Sequence, residues 1–365
     1  MKIATIVGAR PQFIKAATVS RIIQKRDDVQ EIIIHTGQHY DSNMSEVFFS
    51  ELEIPVPDFN LATGGLLHGQ MTGRQLEAIE EILIDEKVES VLVYGDTNST
   101  LSAALAAAKL NIPVFHIEAG LRSFNKNMPE ELNRILTDHL AELLFPPTQA
   151  ALDNLANEGL LGDKAELSGD VMYDAALFYS DKAETKKSLL GEIGVQPKSY
   201  VLTTIHRAEN TNDEHRLKWI VGQLIKASNE IQIVLPLHPR TKKLLIEHGL
   251  MKSLLKSIII IDPVGYLEMV LLEKYAKLIV TDSGGVQKEA YFHHIPCITL
   301  RNETEWVELI ENGSNRLCEF SGNNLLNMIC KKYDDIKVDF KLYGAGRAAE
   351  LIVDKIIQHM DLKKL

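Results

Sequence analysis

Cysteine is scarce in this 365-residue sequence: Cys297, Cys318 and Cys330 make an odd three, with no CxxC or Cys/His ligand spacing among them. That excludes a disulfide framework and fits buried thiols in a reducing compartment. The adjacent pair His293-His294 points two ways, so no metal site is expected. No apolar run approaches the roughly 20 residues that span a bilayer. The opening MKIATIVGARPQ enters a strand at once rather than a signal peptide, so a cytoplasmic protein is expected. Basic surplus is also missing, with 39 Lys and Arg against 50 Asp and Glu and a formal net charge of −11. Phosphate-backbone binding needs clustered excess cations, so no nucleic-acid partner is expected. The turn after the first strand, Gly8-Ala9-Arg10-Pro11, lacks the GxGxxG that lets NAD and FAD folds admit a pyrophosphate, and no cofactor is expected.

What is present is an α/β alternation that runs twice. The length exceeds one ordinary core and suggests two domains of comparable size. In the first half, Lys2–Val7, Glu31–His35, Val91–Tyr94 and Val114–Ile117 read as buried strands. They alternate with helical patterns beginning near Arg10, Met44 (to about Leu52), Gly69 and Thr97, and a loop is expected from Ile54 through Gly65. A charged stretch from Asp181 to Lys187 reads as a surface linker helix. The pattern then restarts, with strands at Tyr200–Ile205, Ile231–Leu235, Ser257–Ile261 and Lys277–Val280. The expected division is residues 1–172, 173–345, and a C-terminal helix over 346–365 that returns to the first domain. Two Rossmann-like domains with parallel sheets facing a central cleft constitute the GT-B architecture.

Chemistry concentrates between Val91 and Arg134. Asp96 and Glu118 stand just past the carboxyl ends of two strands, the edge where open α/β sheets bind ligands. Pro129 opens a helix whose first turn carries Glu130, with Arg134 one turn on. One acid after a strand often only caps the next helix; three at neighbouring openings suggest a shared site. Arg10 and Lys15 bring two cations to the first helix start, which suits a diphosphate. In the second half, Ser283-Gly284-Gly285 is a strand-to-helix turn whose backbone N–H groups can cradle a phosphate, with Glu289 one turn on to grip ribose hydroxyls.

GARPQFIK, YGDTNST, HIEAGLRS, PEELNR, HRAEN, LHPR, TDSGGVQKEA and RNETEW, in that order, resemble the non-hydrolysing UDP-N-acetylglucosamine 2-epimerase family along essentially the whole chain. The resemblance implies a GT-B homodimer that inverts C2 of a UDP-linked 2-acetamido sugar without NAD or metal. Position by position, Asp96, Glu118 and Glu130 match the family's catalytic acids and His206 its essential histidine, followed by Arg207. Arg10, Ser283, Gly284, Gly285 and Glu289 match UDP-binding positions, and Lys15 and Arg134 polar positions lining the cleft. Two departures, Gln12 where the family commonly has an acid and Trp306 where it has an arginine, look more like the branch acting on UDP-2,3-diacetamido-2,3-dideoxyglucuronate. The alternatives are a GT-B UDP-sugar glycosyltransferase, a hydrolysing 2-epimerase and a non-catalytic UDP-sugar sensor.

Overall fold

The computed structural model describes residues 1–38, 49, 52–333 and 339–363. The helix expected from about Met44 to Leu52 therefore falls almost wholly outside the described residues. Two compact units result, Met1–Ala175 with Asp339–Leu365, and Ala176–Val338.

The first unit is built on six parallel strands: β1 (Lys2–Val7), β2 (Gln30–His35), β3 (Phe59–Asn60), β4 (Ser90–Tyr94), β5 (Val114–Ile117) and β6 (Leu143–Phe145). Their order in the sheet is β3-β2-β1-β4-β5-β6. The longer helices around it are α1 (Arg10–Ile23), α2 (His68–Asp85), α3 (Asn98–Lys109), α4 (Pro129–Leu140), α5 (Gln149–Asn157) and the start of α6 (Val171–Ala183). The predominantly apolar runs in β1, β4 and β5 follow from burial on both faces, as a doubly wound parallel sheet requires. Ala4, Ile6, Ile34, Val91, Val93 and Val114 pack in one core with Ala103, Ala104, Ala106 and Ala107 of α3, whose small side chains let that helix lie close on the sheet. Thr97 starts α3 by capping Thr100 N–H.

The second unit repeats the plan with β7 (Tyr200–Thr204), β8 (Gln232–Pro236), β9 (Ile259–Ile261), β10 (Leu278–Thr281), β11 (Cys297–Thr299) and β12 (Asn315–Leu317). Its order, β12-β11-β10-β7-β8-β9, is the first sheet's order read from the other edge, and every pairing is again parallel. Longer helices here are α7 (Glu214–Ala227), α8 (Pro239–Glu247), α9 (Tyr266–Tyr275) and α10 (Gly284–Phe292). Leu217, Ile220, Val221 and Leu224 of α7 cover Val201, Ile233, Leu235 and Val280. The last helix, α11 (Ala348–Lys363), belongs to the first unit, where it packs on α1 and where Asp354 pairs with Arg26, three residues past the end of α1, at 3.2 Å. No helix among the described residues is long and apolar enough to cross a membrane.

Several local expectations need correction. The loop read from Ile54 to Gly65 contains β3, and β6, β11 and β12 were not read at all. These strands have two or three residues each, too few for any periodicity. Cys330 is exposed, whereas Cys297 and Cys318 are buried. The stretch Asp181–Lys187 is no free linker. It completes α6 and a 3₁₀ turn, Glu184–Lys186, and Glu184 is tied to Lys274 at 2.7 Å and to the Tyr275 hydroxyl at 2.8 Å, so the segment is docked on its own unit.

One half-buried carboxyl makes the first unit's stability pH-dependent. Glu31 on β2 accepts hydrogen bonds from Thr5 and Ser20 hydroxyls, and burial nevertheless pushes its pKa up to about 7. The native state thus holds a proton that the unfolded chain releases at lower pH, and stability falls as pH rises from about 4.5 to 7. Glu31→Gln keeps the acceptor and removes the titration. We expect its thermal midpoint to match the parent at pH 4 and exceed it at pH 8.5, by a stability increment on the order of 1–3 kcal/mol; coincident melting curves at pH 8.5 would refute this.

Candidate active site

The sheet order dictates where ligands can approach. In each unit the crossovers leave the sheet in opposite directions from the two central strands, and the crevice at their carboxyl ends is open. In the first unit these strands are β1 and β4, followed by the Arg10 turn and by Asp96. In the second they are β7 and β10, followed by His206-Arg207 and by Ser283-Gly284-Gly285. Four of the sequence-derived clusters therefore flank the two switch points.

Asp96 sits in the turn between β4 and α3, and three consecutive carbonyls of that turn are tied to three different elements. Gln12 of α1 donates to Tyr94 O at 2.7 Å, His116 of β5 lies 2.8 Å from Gly95 O through Nε2, and Asn133 of α4 donates to Asp96 O at 3.0 Å. The Asp96 side chain receives Arg134 Nη2 at 2.6 Å. Burial pushes the Asp96 pKa up, with the negative charge of Glu118 adding to the effect and Arg134 opposing it. A carboxyl moved toward neutrality beside a fixed cation is suited to exchanging a proton.

Glu118 follows β5 in the adjacent turn and is held with φ at +71°, a conformation that is costly for a side-chain-bearing residue. Its carboxylate meets Lys15 Nζ in a short, largely buried ion pair. Gly95 lies against this pair: its φ is +63°, and a Cβ there would come within 3.3 Å of Glu118 Oε2. Glycine takes this φ without strain and leaves the carboxylate its room.

Behind the acids runs a buried network. His116 Nδ1 is 2.6 Å from Asp138 Oδ1, so both ring nitrogens face oxygen partners, a carboxylate on one side and Gly95 O on the other. Asp138 also accepts Gly120 N–H at 3.0 Å and Arg122 at 2.7 Å. Burial would raise its pKa, but the His116 charge, the hydrogen bond from that ring and Arg122 outweigh this and hold it low. Glu131, 1% exposed, receives Ser123 N–H, Ser123 hydroxyl and Phe124 N–H, each at 2.9 Å, and so shapes the loop between β5 and α4. Glu130, its neighbour, is exposed on the first turn of α4, and its charge adds to those that raise the Asp96 pKa. Arg10 is the first residue of α1, whereas Lys15 one turn on lies against Glu118.

In the second unit Asp282 organises the site. Fully buried at the end of β10, it accepts N–H groups of His206 and Arg207 at 3.0 Å and Asn210 Nδ2 at 2.9 Å, and faces His206 Nδ1 at 3.2 Å. Burial alone would raise its pKa; the hydrogen bond and charge of His206 hold it below the usual carboxylate range. With Nδ1 turned to Asp282, His206 presents Nε2 outward. Ser283 precedes α10, so Gly284 and Gly285 open that helix with N–H groups that lack intrahelical partners. Glu305 lies against Gly284, where a Cβ would fall 2.5 Å from Oε1, and it is paired with Arg301 at 2.7 Å and Arg207 at 3.9 Å. Trp306 is buried and donates Nε1 to Gly284 O at 3.0 Å, with Lys288 Nζ 4.2 Å over its ring. It therefore braces the glycine turn instead of projecting outward. Glu289 receives the Tyr266 hydroxyl at 3.2 Å.

Sequence reasoning missed Asn133, His116, Asp138 and Asp282 as parts of the site. His116 and Asp282 lie inside motifs already singled out, each within two residues of a chosen position, but their roles depend on contacts between strands.

Comparison with known proteins identifies the family. Residues 21–357 match the family model described as UDP-N-acetylglucosamine 2-epimerase. A UDP-2,3-diacetamido-2,3-dideoxy-D-glucuronate 2-epimerase of Pseudomonas aeruginosa is 51% identical over 97% of this chain and 99% of its own. A UDP-N-acetylglucosamine 2-epimerase of Methanocaldococcus jannaschii is 43% identical over 97% and 98%. The crystal structure of the M. jannaschii UDP-GlcNAc 2-epimerase in complex with UDP-GlcNAc and UDP superposes with a TM-score of 0.85, covering 98% of this chain and all of that one. That of Neisseria meningitidis bound to UDP-GlcNAc gives 0.86 at 30% identity, over 98% and 100%. By sequence over its whole length, and by a fold of two like-ordered parallel sheets, this chain belongs to the UDP-N-acetylglucosamine 2-epimerase family.

Proposed function

We propose that the protein inverts C2 of a UDP-linked 2-acetamido sugar by eliminating and re-adding UDP. The observation that carries this is the pair Asp96 and Glu118, at the ends of adjacent strands and each set against its own cation. C2 has no neighbouring carbonyl to acidify its proton. Loss of that proton must therefore be coupled to cleavage of the C1–O bond, the electron pair of C2–H forming the C1=C2 bond of a glycal as UDP departs. One carboxylate takes the proton. A second carboxyl then returns a proton to the opposite face of C2 while a UDP oxygen re-forms the bond to C1. Nothing is consumed, and no redox cofactor or metal is called for.

Asp96, Glu118 and Glu130 are the acid–base groups in this reading. Arg10, His206, Arg207 and the Ser283-Gly284-Gly285 turn stabilise the charge that develops on the departing diphosphate, Glu289 takes the ribose, and Lys15 and Arg134 tune the carboxyls. The 51% identity to the P. aeruginosa enzyme, together with Gln12 and Trp306, favours UDP-2,3-diacetamido-2,3-dideoxyglucuronate over UDP-GlcNAc as substrate. The product would then feed surface polysaccharide synthesis in the cytoplasm. A homodimer is part of the reading, and the exposed Leu132 and Leu136, one turn apart on α4, offer an apolar face for it.

The direct test follows C2 and anomeric proton signals by NMR in heavy water with each of the two UDP-sugars. Deuterium at C2 and a new manno-configured nucleotide sugar are expected, faster with the diacetamido uronate. No exchange with either, while UDP binds, would overturn the proposal. Asp96→Asn and Glu118→Gln should each lower turnover about 10²–10⁴-fold with UDP affinity little changed; near-parental rates in both would remove the two carboxylates from the mechanism. Asp282→Asn should lower kcat by up to about a hundredfold through a misaligned His206, and a parental kcat in a folded variant would show that His206 needs no such support.

A further inference from the structure

Helix α10 carries more than the glycine turn. Its first turn offers the N–H groups of Gly284 and Gly285, and Glu289 stands on the same helix, about 7.5 Å further along the axis at the usual helical rise. A nucleoside diphosphate laid along this helix would set its phosphates on the N–H groups and its ribose near that carboxylate. Glu289 is 8% exposed, and its Oε1 accepts the hydroxyl of Tyr266, the first residue of α9, at 3.2 Å. Tyr266 is itself buried. Its ring stands edge-on to that of Tyr179 on α6, with centroids 5.3 Å apart and planes at 89°, and Tyr179 is fully buried. The hydroxyl therefore has little freedom to leave the carboxylate.

Protonation states fit this arrangement. Burial, and then the charge of Glu289, push the Tyr266 pKa well above its ordinary value, so the phenol remains a donor. A second carboxyl feels the same charge. Glu273 of α9 is fully buried, and neither of its oxygens has a hydrogen-bond partner among the described residues. Burial, with the charge of Glu289 adding, pushes its pKa well above the carboxylate range, so Glu273 is held neutral. Of these two carboxyls, the one with a phenol donor on its oxygen is suited to carry charge.

We propose that Tyr266 is a positioning residue that aims the Glu289 carboxylate at the ribose 2′- and 3′-hydroxyls, and that the pair makes the protein select ribonucleotides over deoxyribonucleotides. The proposal rests on the reading of Glu289 as the ribose contact. With Oε1 held from one side by the phenol, the plane of the carboxylate is fixed, and its remaining lone pairs meet the diol without first having to be ordered. Phenylalanine at 266 would keep the ring and its edge contact but release the carboxylate from that plane. A nucleotide without the hydroxyls would leave an oriented, mostly buried carboxylate unmatched. Sites built on such a polar group reject the analogue lacking its partner far more strongly than apolar pockets reject a missing methylene.

Calorimetric titration of the full chain with UDP, 2′-deoxy-UDP and 2′,3′-dideoxy-UDP tests this without reference to turnover. The parent should bind UDP at least about thirtyfold more tightly than the dideoxy nucleotide, with 2′-deoxy-UDP between them. In Tyr266→Phe the ratio of UDP to dideoxy-UDP affinity should fall about fivefold or more, through weaker UDP binding, while dideoxy-UDP affinity changes less than about twofold. Glu289→Gln should lower the ratio as well, and Tyr266→Phe added to it should change the ratio no further. A Tyr266→Phe variant that keeps the parental ratio, or weakens all three nucleotides equally, overturns the proposal; a lowered ratio in Glu289→Gln would then leave the ribose reading standing. A parental ratio near one, or one unaltered in Glu289→Gln, removes Glu289 from the ribose and the proposal with it. Equal binding of UDP and 2′-deoxy-UDP by the parent overturns the selection against deoxyribonucleotides.

Discussion

Three neighbouring carbonyl oxygens, those of Tyr94, Gly95 and Asp96, are fixed by donors from α1, β5 and α4. A loop aspartate on an unsupported turn would sample many positions. Here the backbone beneath it is held from three directions, and the side chain is fixed by Arg134. The rest of the first unit follows from that constraint. β1, β4 and β5 must lie side by side to bring Gln12 and His116 to the same turn, and α4 must start where Asn133 and Arg134 can reach it.

The second unit solves the corresponding problem with one residue. Asp282 receives the backbone of His206 and Arg207 and the side chain of Asn210, so a single buried carboxylate joins the ends of β7 and β10. The contrast is chemical. Three side-chain nitrogens serve carbonyls on one side, and one anion serves N–H groups on the other. In both units the braces gather at the carboxyl edge beside the switch point, which the sheet order leaves uncovered.

Much of this was legible from the residues alone. β1, β4, β5, β7 and β10 are apolar runs bounded by turns, and Asp96, Glu118, His206 and Ser283 stand at their carboxyl ends where sheet topology makes polar residues conspicuous. β3, β6, β11 and β12 escaped because two or three residues carry no period. His116 and Asp282 escaped for a different reason, and Gln12, noted only as a departure from the family pattern, gave no sign of its contacts. Each acts across a strand pairing, and whether an amide on α1 reaches Tyr94 O is fixed by the parallel pairing of β1 with β4, with Ile6 beside Val93. Trp306 shows the limit of reading a substitution by type: the side chain turns inward to Gly284 rather than outward.

That inward turn gives the molecule an optical probe of its own. The sequence contains two tryptophans, Trp219 and Trp306. The second has its indole N–H on the carbonyl of the glycine turn and a lysine ammonium over its ring, so its emission is coupled electrostatically to whatever charge arrives there. With Trp219 replaced by phenylalanine, the remaining fluorescence would report on the surroundings of the glycine turn in real time, without a label.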